Sequence, residues 1–231
     1  MLELVQIFYE PLKVYAAVRE RKLWLPAFIG VILLTLLSSV LVIQLVGMQT
    51  ITRKQLEANP RMVQQLGQEK IDQTVAQSDT PGRKALGYGF AVVGGAAYLL
   101  LVSAAFMGIL NMMDARLSYP QSLGALAYSA FPFSLVTALM SGLILWLSSD
   151  RAELDLRNLI PLNPAAFMDP AASKPLYSLA SSMDLLSFGQ IAMIGLGYSQ
   201  VSGRSFTKCV SVVIALWTVY VLLKTGWSAL F

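Results

Sequence analysis

The side chains in or beside the long apolar stretches of this sequence that could do chemistry are few: Asp114, Asp184, Gln44, Gln190 and Cys209. A pair of aspartates inside a membrane bundle could share a proton and hydrolyse a bond, because two adjoining carboxylates cannot both ionise. Asp114 and Asp184 do not suit that role. Each stands at the end of an apolar run, and neither has a glycine-rich setting. Asp184, just before such a run, reads as a charge favouring a helix N-terminus. Gln44 and Gln190 lie within runs, where an amide either hydrogen-bonds across helices or lines a polar path. Cys209 is the only cysteine, so no intramolecular disulfide forms, and its apolar neighbours make it core or lipid-facing filler. There is no histidine, which removes Ser-His and Cys-His pairs and imidazole metal ligands. Gly94-Gly95 lacks the Lys-Ser/Thr that a phosphate loop requires. No catalytic residue, cofactor or metal is expected.

The remaining signals concern packing. Gly87, Ala91 and Gly95 share one helical face, as do Ser134, Ala138 and Gly142. Small residues at four-residue spacing let helix backbones approach closely, within the bundle or at a partner or dimer seam. Pro132, between Phe131 and Phe133, removes one helical hydrogen bond and predicts a kink.

These residues are carried by five candidate spans: 25–48, 85–110, 123–147, 185–198 and 209–231. No charge interrupts the first three, and each can cross a bilayer alone. The fourth is short. The fifth contains Lys224, close enough to its end to snorkel. The turn Ser202-Gly203-Arg204-Ser205 would join these two as a hairpin. Residues 1–24 precede the spans. There Leu2, Val5, Phe8, Tyr9, Leu12 and Ala16 recur at helical spacing, predicting an interfacial helix that starts or breaks at Pro11. Trp24 is its interface aromatic. Glu3 and Glu10 argue against a cleavable signal peptide.

Two polar segments stay outside lipid. In 49–84, Leu56, Val63, Leu66, Ile71 and Val75 have loosely helical spacing, Pro60 interrupts, and Thr80-Pro81-Gly82 ends the segment as a turn. The segment 148–183, with Pro161, Pro164, Pro170 and Pro175, is a loop with short helices at most. The fold class is therefore all-α: one polytopic membrane bundle of about five transmembrane helices with an N-terminal interfacial helix. No internal repeat of the inverted-transporter kind is evident.

Composition agrees. Of 231 residues, 13% are charged, against about a quarter in soluble domains, and mean hydropathy is +0.62. The net charge of +4 resides in flanks and loops, so anionic lipid headgroups rather than nucleic acid are its partner. With the N-terminus in the cytoplasm, the inside segments carry seven basic residues and the much longer outside segments nine. Basic density and the first cluster then favour N-in, C-out.

Three stretches resemble the Yip family of polytopic membrane proteins, named for eukaryotic members that interact with Rab-type GTPases. Phe8-Tyr9-Glu10-Pro11 followed by Trp24-Leu25-Pro26 is similar to the opening of bacterial members. Tyr128-Ser129-Ala130-Phe131-Pro132 is similar to the family's tyrosine-to-proline segment. Asp184 to Phe188, continuing through Gly195 to Ser205 and Lys208, resembles the fourth span and the basic turn into the fifth. Phe188-Gly189-Gln190 departs from the tryptophan that many members carry there. The chain also lacks the long cytosolic N-terminal region of many eukaryotic members, so GTPase binding is not carried over. The resemblance implies five spans with a cytosolic N-terminus, in a bacterial inner (cytoplasmic) membrane. It further implies a non-enzymatic accessory or scaffold role, with an ABC transporter as partner; the small-residue faces add a second copy of the chain as the other candidate. The alternative is a small solute transporter or channel using Gln44, Gln190 or the kink at Pro132. A scaffold should have no deep polar cavity, whereas a transporter should have one.

Overall fold

The computed structural model describes residues 2–169 and 173–230. Met1, Pro170 and Phe231, which fall in the predicted interfacial, loop and fifth-span segments, lie outside the described residues. Among the described residues there are ten α-helices, one 3-10 turn at Pro164–Phe167 and no strand.

Two short helices come first, α1 (Leu2–Gln6) and α2 (Pro11–Arg21). Proline opens α2, where its missing N–H costs nothing, and Lys22 in the left-handed region (φ 52°) closes it. The first span is α3 (Leu25–Val46), stopped by Gly47 at φ +89°. Then follow α4 (Met48–Glu57) and α5 (Pro60–Ala76), which pack on each other as a hairpin. The Asn59 side chain caps α5, accepting from Arg61 N at 3.1 Å and Met62 N at 3.4 Å.

The expected turn at Thr80-Pro81-Gly82 is instead the start of α6 (Pro81–Met112). Thr80 Oγ1 accepts from Arg83 N at 3.4 Å, and Pro81 occupies the first helical position. A Thr-Pro pair therefore initiates a helix here as readily as it would end one. The third span, α7 (Tyr119–Leu147), begins earlier than the hydropathy indicates, because Gln121 Oε1 accepts from the Ser118 backbone N–H at 3.0 Å. It runs as a continuous helix through Pro132.

Beyond α8 (Lys174–Ser182) come α9 (Leu185–Ser202) and α10 (Phe206–Leu230). Asp184 Oδ1 caps α9 through Leu186 N at 2.6 Å, and left-handed Gly203 (φ +69°) ends it. Helix α9 is four residues longer than its apolar run because Ser199 and Ser202 extend it as polar but helical residues. At 18 residues it spans about 27 Å. Helices α3, α6, α7 and α10 are each long and apolar enough to cross a membrane, and α8 with α9, bent by 49°, makes a fifth candidate.

Helix α7 is the hub, packing on α2, α3, α6 and α9, and its residues Ser122 to Ala130 are all buried. Helix α9 packs on α2, α7 and α10. The bundle has two distinct ends. At one, Arg204 donates to the Asp114 carbonyl and Gln121 Nε2 donates to Arg19 O at 2.7 Å. At the other, the two polar segments form a single layer: Lys54 Nζ donates to Leu154 O at 2.5 Å and Lys174 Nζ to Ala58 O at 3.4 Å. Lys224 also reaches this end. Its ammonium contacts Ser182 Oγ at 2.9 Å, Ser181 Oγ at 3.1 Å and Ser178 O at 3.4 Å, at the negative end of α8.

Candidate functional site

Two hydroxyl clusters bind the helices together. Tyr15 of α2 is fully buried, and its hydroxyl lies 2.8 Å from Ser129 Oγ and 3.3 Å from Met193 O. Burial among apolar side chains pushes the Tyr15 phenol above its ordinary pKa. Nearer the Arg204 end, Tyr198 and Ser122 meet at 2.9 Å, and Ser122 Oγ donates to Ser103 O at 2.7 Å. One cluster joins α2, α7 and α9; the other joins α6, α7 and α9. In lipid, such bonds satisfy groups that have no water to turn to.

Close contacts accompany these bonds. A Cβ on Gly197 would lie 2.8 Å from Tyr15 Cε1 and 2.9 Å from Ser129 Oγ. One on Gly124 would lie 2.8 Å from the Leu23 carbonyl oxygen. Only glycine allows α2 and the segment after it to sit this near α7 and α9.

Toward the opposite end α3, α7 and α9 diverge and leave a cavity of about 540 Å³, lying beside residues 156–163. Thr35 and Ser38 come from α3, Ser134, Thr137 and Ser141 from α7, and Ser187 and Gln190 from α9. Arg157 and Asp184 add one charge of each sign. Asn158 and Asn163 pair at 2.7 Å and 3.2 Å beside it, and Leu185 N donates to Leu162 O at 3.2 Å, which ties this segment to the start of α9. Thr35 bonds its own helix through Val31 O at 2.9 Å. Among the described residues, Ser38, Ser134, Thr137, Ser141, Ser187 and Gln190 make no hydrogen bond to the protein, although Ser141 is only 7% exposed.

A family model for the Yip1 domain matches residues 5–230, nearly the whole chain. The chain belongs to the Yip1 domain family. It is an integral membrane protein with several apolar helices, and the all-α bundle agrees with the fold expected of it. No curated protein and no solved structure is detectably similar to it.

In this Yip1 domain the residues singled out by sequence are dispersed. Gln190, Ser134 and Asp184 line the cavity. Gln44 does not: it is exposed on α3 and donates to Tyr88 Oη at 3.2 Å. Asp114 and Asp184 lie at opposite ends, because Asp114 meets Arg204 beyond the far end of α9 whereas Asp184 caps its near end. Gly87, Gly95 and Gly142 all face α3, with Ile43 Cδ1 at 3.1 Å, Thr35 Cγ2 at 3.4 Å and Leu41 Cδ1 at 3.3 Å from an added Cβ. Ala138 is buried and Ala91 half-buried. Pro132 is half-buried, one residue from Phe133 of the cavity wall.

Cys209 is buried in the core. Burial of Ser122, Ser129, Tyr198 and Tyr15 was not foreseen from sequence. The cavity set did leave a signal: Thr35, Ser38 and Val42, and likewise Ser134, Thr137 and Ser141, repeat at helical spacing along otherwise apolar helices.

Proposed function

We propose that this Yip1 domain protein is a non-enzymatic accessory or scaffold subunit of a bacterial cytoplasmic membrane, with its N-terminus in the cytoplasm. An ABC-type transport system is the partner class, or a second copy of the chain. The observation carrying this reading is the outer face of α6. Gly89, Gly94 and Gly108 have nothing within 4 Å of an added Cβ, and Phe90 and Val93 between them are 75% and 66% exposed. A face that alternates glycine notches with large apolar knobs suits close approach by another membrane helix. Short basic segments at the Arg204 end, with Arg19, Arg21, Arg116 and Arg204, support placing that end inside.

Co-purification in mild detergent tests the reading, using the wild type beside a Gly94→Leu, Gly108→Leu variant. A membrane protein held by the first and released by the second supports it. Recovery of the chain alone in both cases, from native membranes, overturns it.

The cavity favours a second reading, a small solute transporter, because a polar recess between spans is what such a protein needs and a scaffold does not. Flux in proteoliposomes that falls in Gln190→Leu supports it; no flux of any solute tried, in the wild type, counts against it.

A further inference from the structure

We propose that the cavity between α3, α7 and α9 is a one-sided binding site for a small uncharged polyhydroxy group, the chemistry shared by a free sugar and the sugar headgroup of a glycolipid. The inference deepens the transport reading but does not require transport.

Elsewhere in the spans several serine and tyrosine hydroxyls are consumed by the protein, as at Ser103, Ser122, Ser129 and Tyr198, and the hydroxyls buried there without a partner, at Tyr128 and Thr225, stand singly. Five hydroxyls and one carboxamide without protein partners converge on this one recess. A polar group left unpaired in a membrane bundle is costly, so a cluster of them is retained where something polar satisfies them. Each hydroxyl both donates and accepts, and Gln190 supplies two donors and an acceptor. A polyol has the same dual character at every carbon.

Charge and shape narrow the class further. Arg157 and Asp184 are of opposite sign, so the lining selects neither anion nor cation by net charge. Leu34, Val42 and Leu186 lie among the hydroxyls, matching the apolar C–H faces of a sugar ring. The volume falls within the roughly 300–1,000 Å³ of small-molecule sites.

The recess narrows below. Toward the Arg204 end, added Cβ atoms on Gly30, Gly189 and Gly197 would lie 2.8 Å from Phe131, Phe133 and Tyr15 respectively. Helix α7 touches both α3 and α9 there, and α2 lies against α9, so the Asp184 end is the side from which a guest enters.

Cysteine accessibility decides the matter. In a Cys209→Ser background in phosphatidylcholine nanodiscs, Ser134→Cys, Thr137→Cys and Ser187→Cys are compared with Leu139→Cys, whose parent side chain is 65% exposed on the outside of α7. A water-soluble maleimide should modify the three cavity thiols about tenfold faster than the lipid-facing one, since reaction needs a hydrated thiolate. Methyl glucoside in solution, or a glucosyl diacylglycerol in the disc, should slow cavity labelling about threefold or more by occupying the site. Protection by the soluble sugar identifies a free solute; protection only by the lipid identifies a headgroup. Labelling no faster than at Leu139→Cys overturns the site. Fast labelling that neither sugar slows overturns the ligand class. Sugar protection without flux in proteoliposomes retains the site and removes the transport reading. Three separate positions keep the test decisive if one variant fails to fold.

Discussion

The Tyr15 hydroxyl and Ser129 Oγ meet at 2.8 Å across 114 residues of sequence, at a point where α2, α7 and α9 converge. Helix α2 is thereby part of the bundle as well as a surface element. Its Val14, Tyr15 and Val18 are fully buried, while Leu2, Val5, Phe8, Tyr9 and Leu12 of the same N-terminal segment are about half exposed or more. One face grips protein and the other is exposed.

Replacing Tyr15 by Phe should destabilise the bundle modestly, because Ser129 keeps its bonds to Ala125 O and Met193 O. The expected loss is about 0.6 kcal/mol, with an upper range near 1.7 kcal/mol. Thermal unfolding in nanodiscs measures it. Tyr15→Phe combined with Ser129→Ala should cost less than the sum of the single changes, since both remove the same bond.

Glycine substitutions should separate packed from open positions. Gly197→Ala forces a methyl group into Tyr15 and Ser129 and should cost about 1–3 kcal/mol. Gly94→Ala meets nothing within 4 Å and should leave thermal stability unchanged or slightly raised. Limited proteolysis gives a second readout: cleavage near Lys22 should accelerate in Gly197→Ala alone, as α2 loses its seat.

Lys224→Met should loosen α8 and leave α9 unaffected. The ammonium is the cation at the C-terminal end of α8, and losing a charge-assisted bond costs about 1.5–3 kcal/mol at most in such settings. Hydrogen exchange should rise across Lys174–Ser182 and stay level across Leu185–Ser202. Equal exchange in both proteins would show that the three contacts to Ser178, Ser181 and Ser182 do not hold the helix.

Orientation can be read with single cysteines in the Cys209→Ser background. In cells, an impermeant maleimide should reach Ala152→Cys and miss Arg116→Cys. The reverse pattern would place the Arg204 end outside.

The first three spans were legible in the sequence because no charge falls between Lys22 and Arg53, Lys84 and Asp114, or Leu117 and Ser149. Helix starts were less so: Thr80-Pro81 carries the signals of a cap and of a turn, and only the following backbone decides between them. The apolar face read in residues 1–24 is the exposed one. Lipid and protein both accept apolar side chains, so periodicity could not tell the seat of α2 from its membrane side. For the same reason Gly94 and Gly197 look alike in sequence, although one is open and the other touches a ring. The cavity was half visible, through Gln190, Ser134 and Asp184. Its remaining hydroxyls belong to helices distant in sequence, and their lack of partners is a property of three-dimensional divergence.

The seat of α2 has a consequence for biosynthesis. Tyr15 leaves the ribosome early, yet Met193, one of its partners, follows 178 residues later. Until α9 has been threaded into the bilayer, the N-terminal segment has no completed groove to enter. Its docking is therefore a late event of assembly, and a quality-control factor that sensed an undocked α2 would be sensing an unfinished chain.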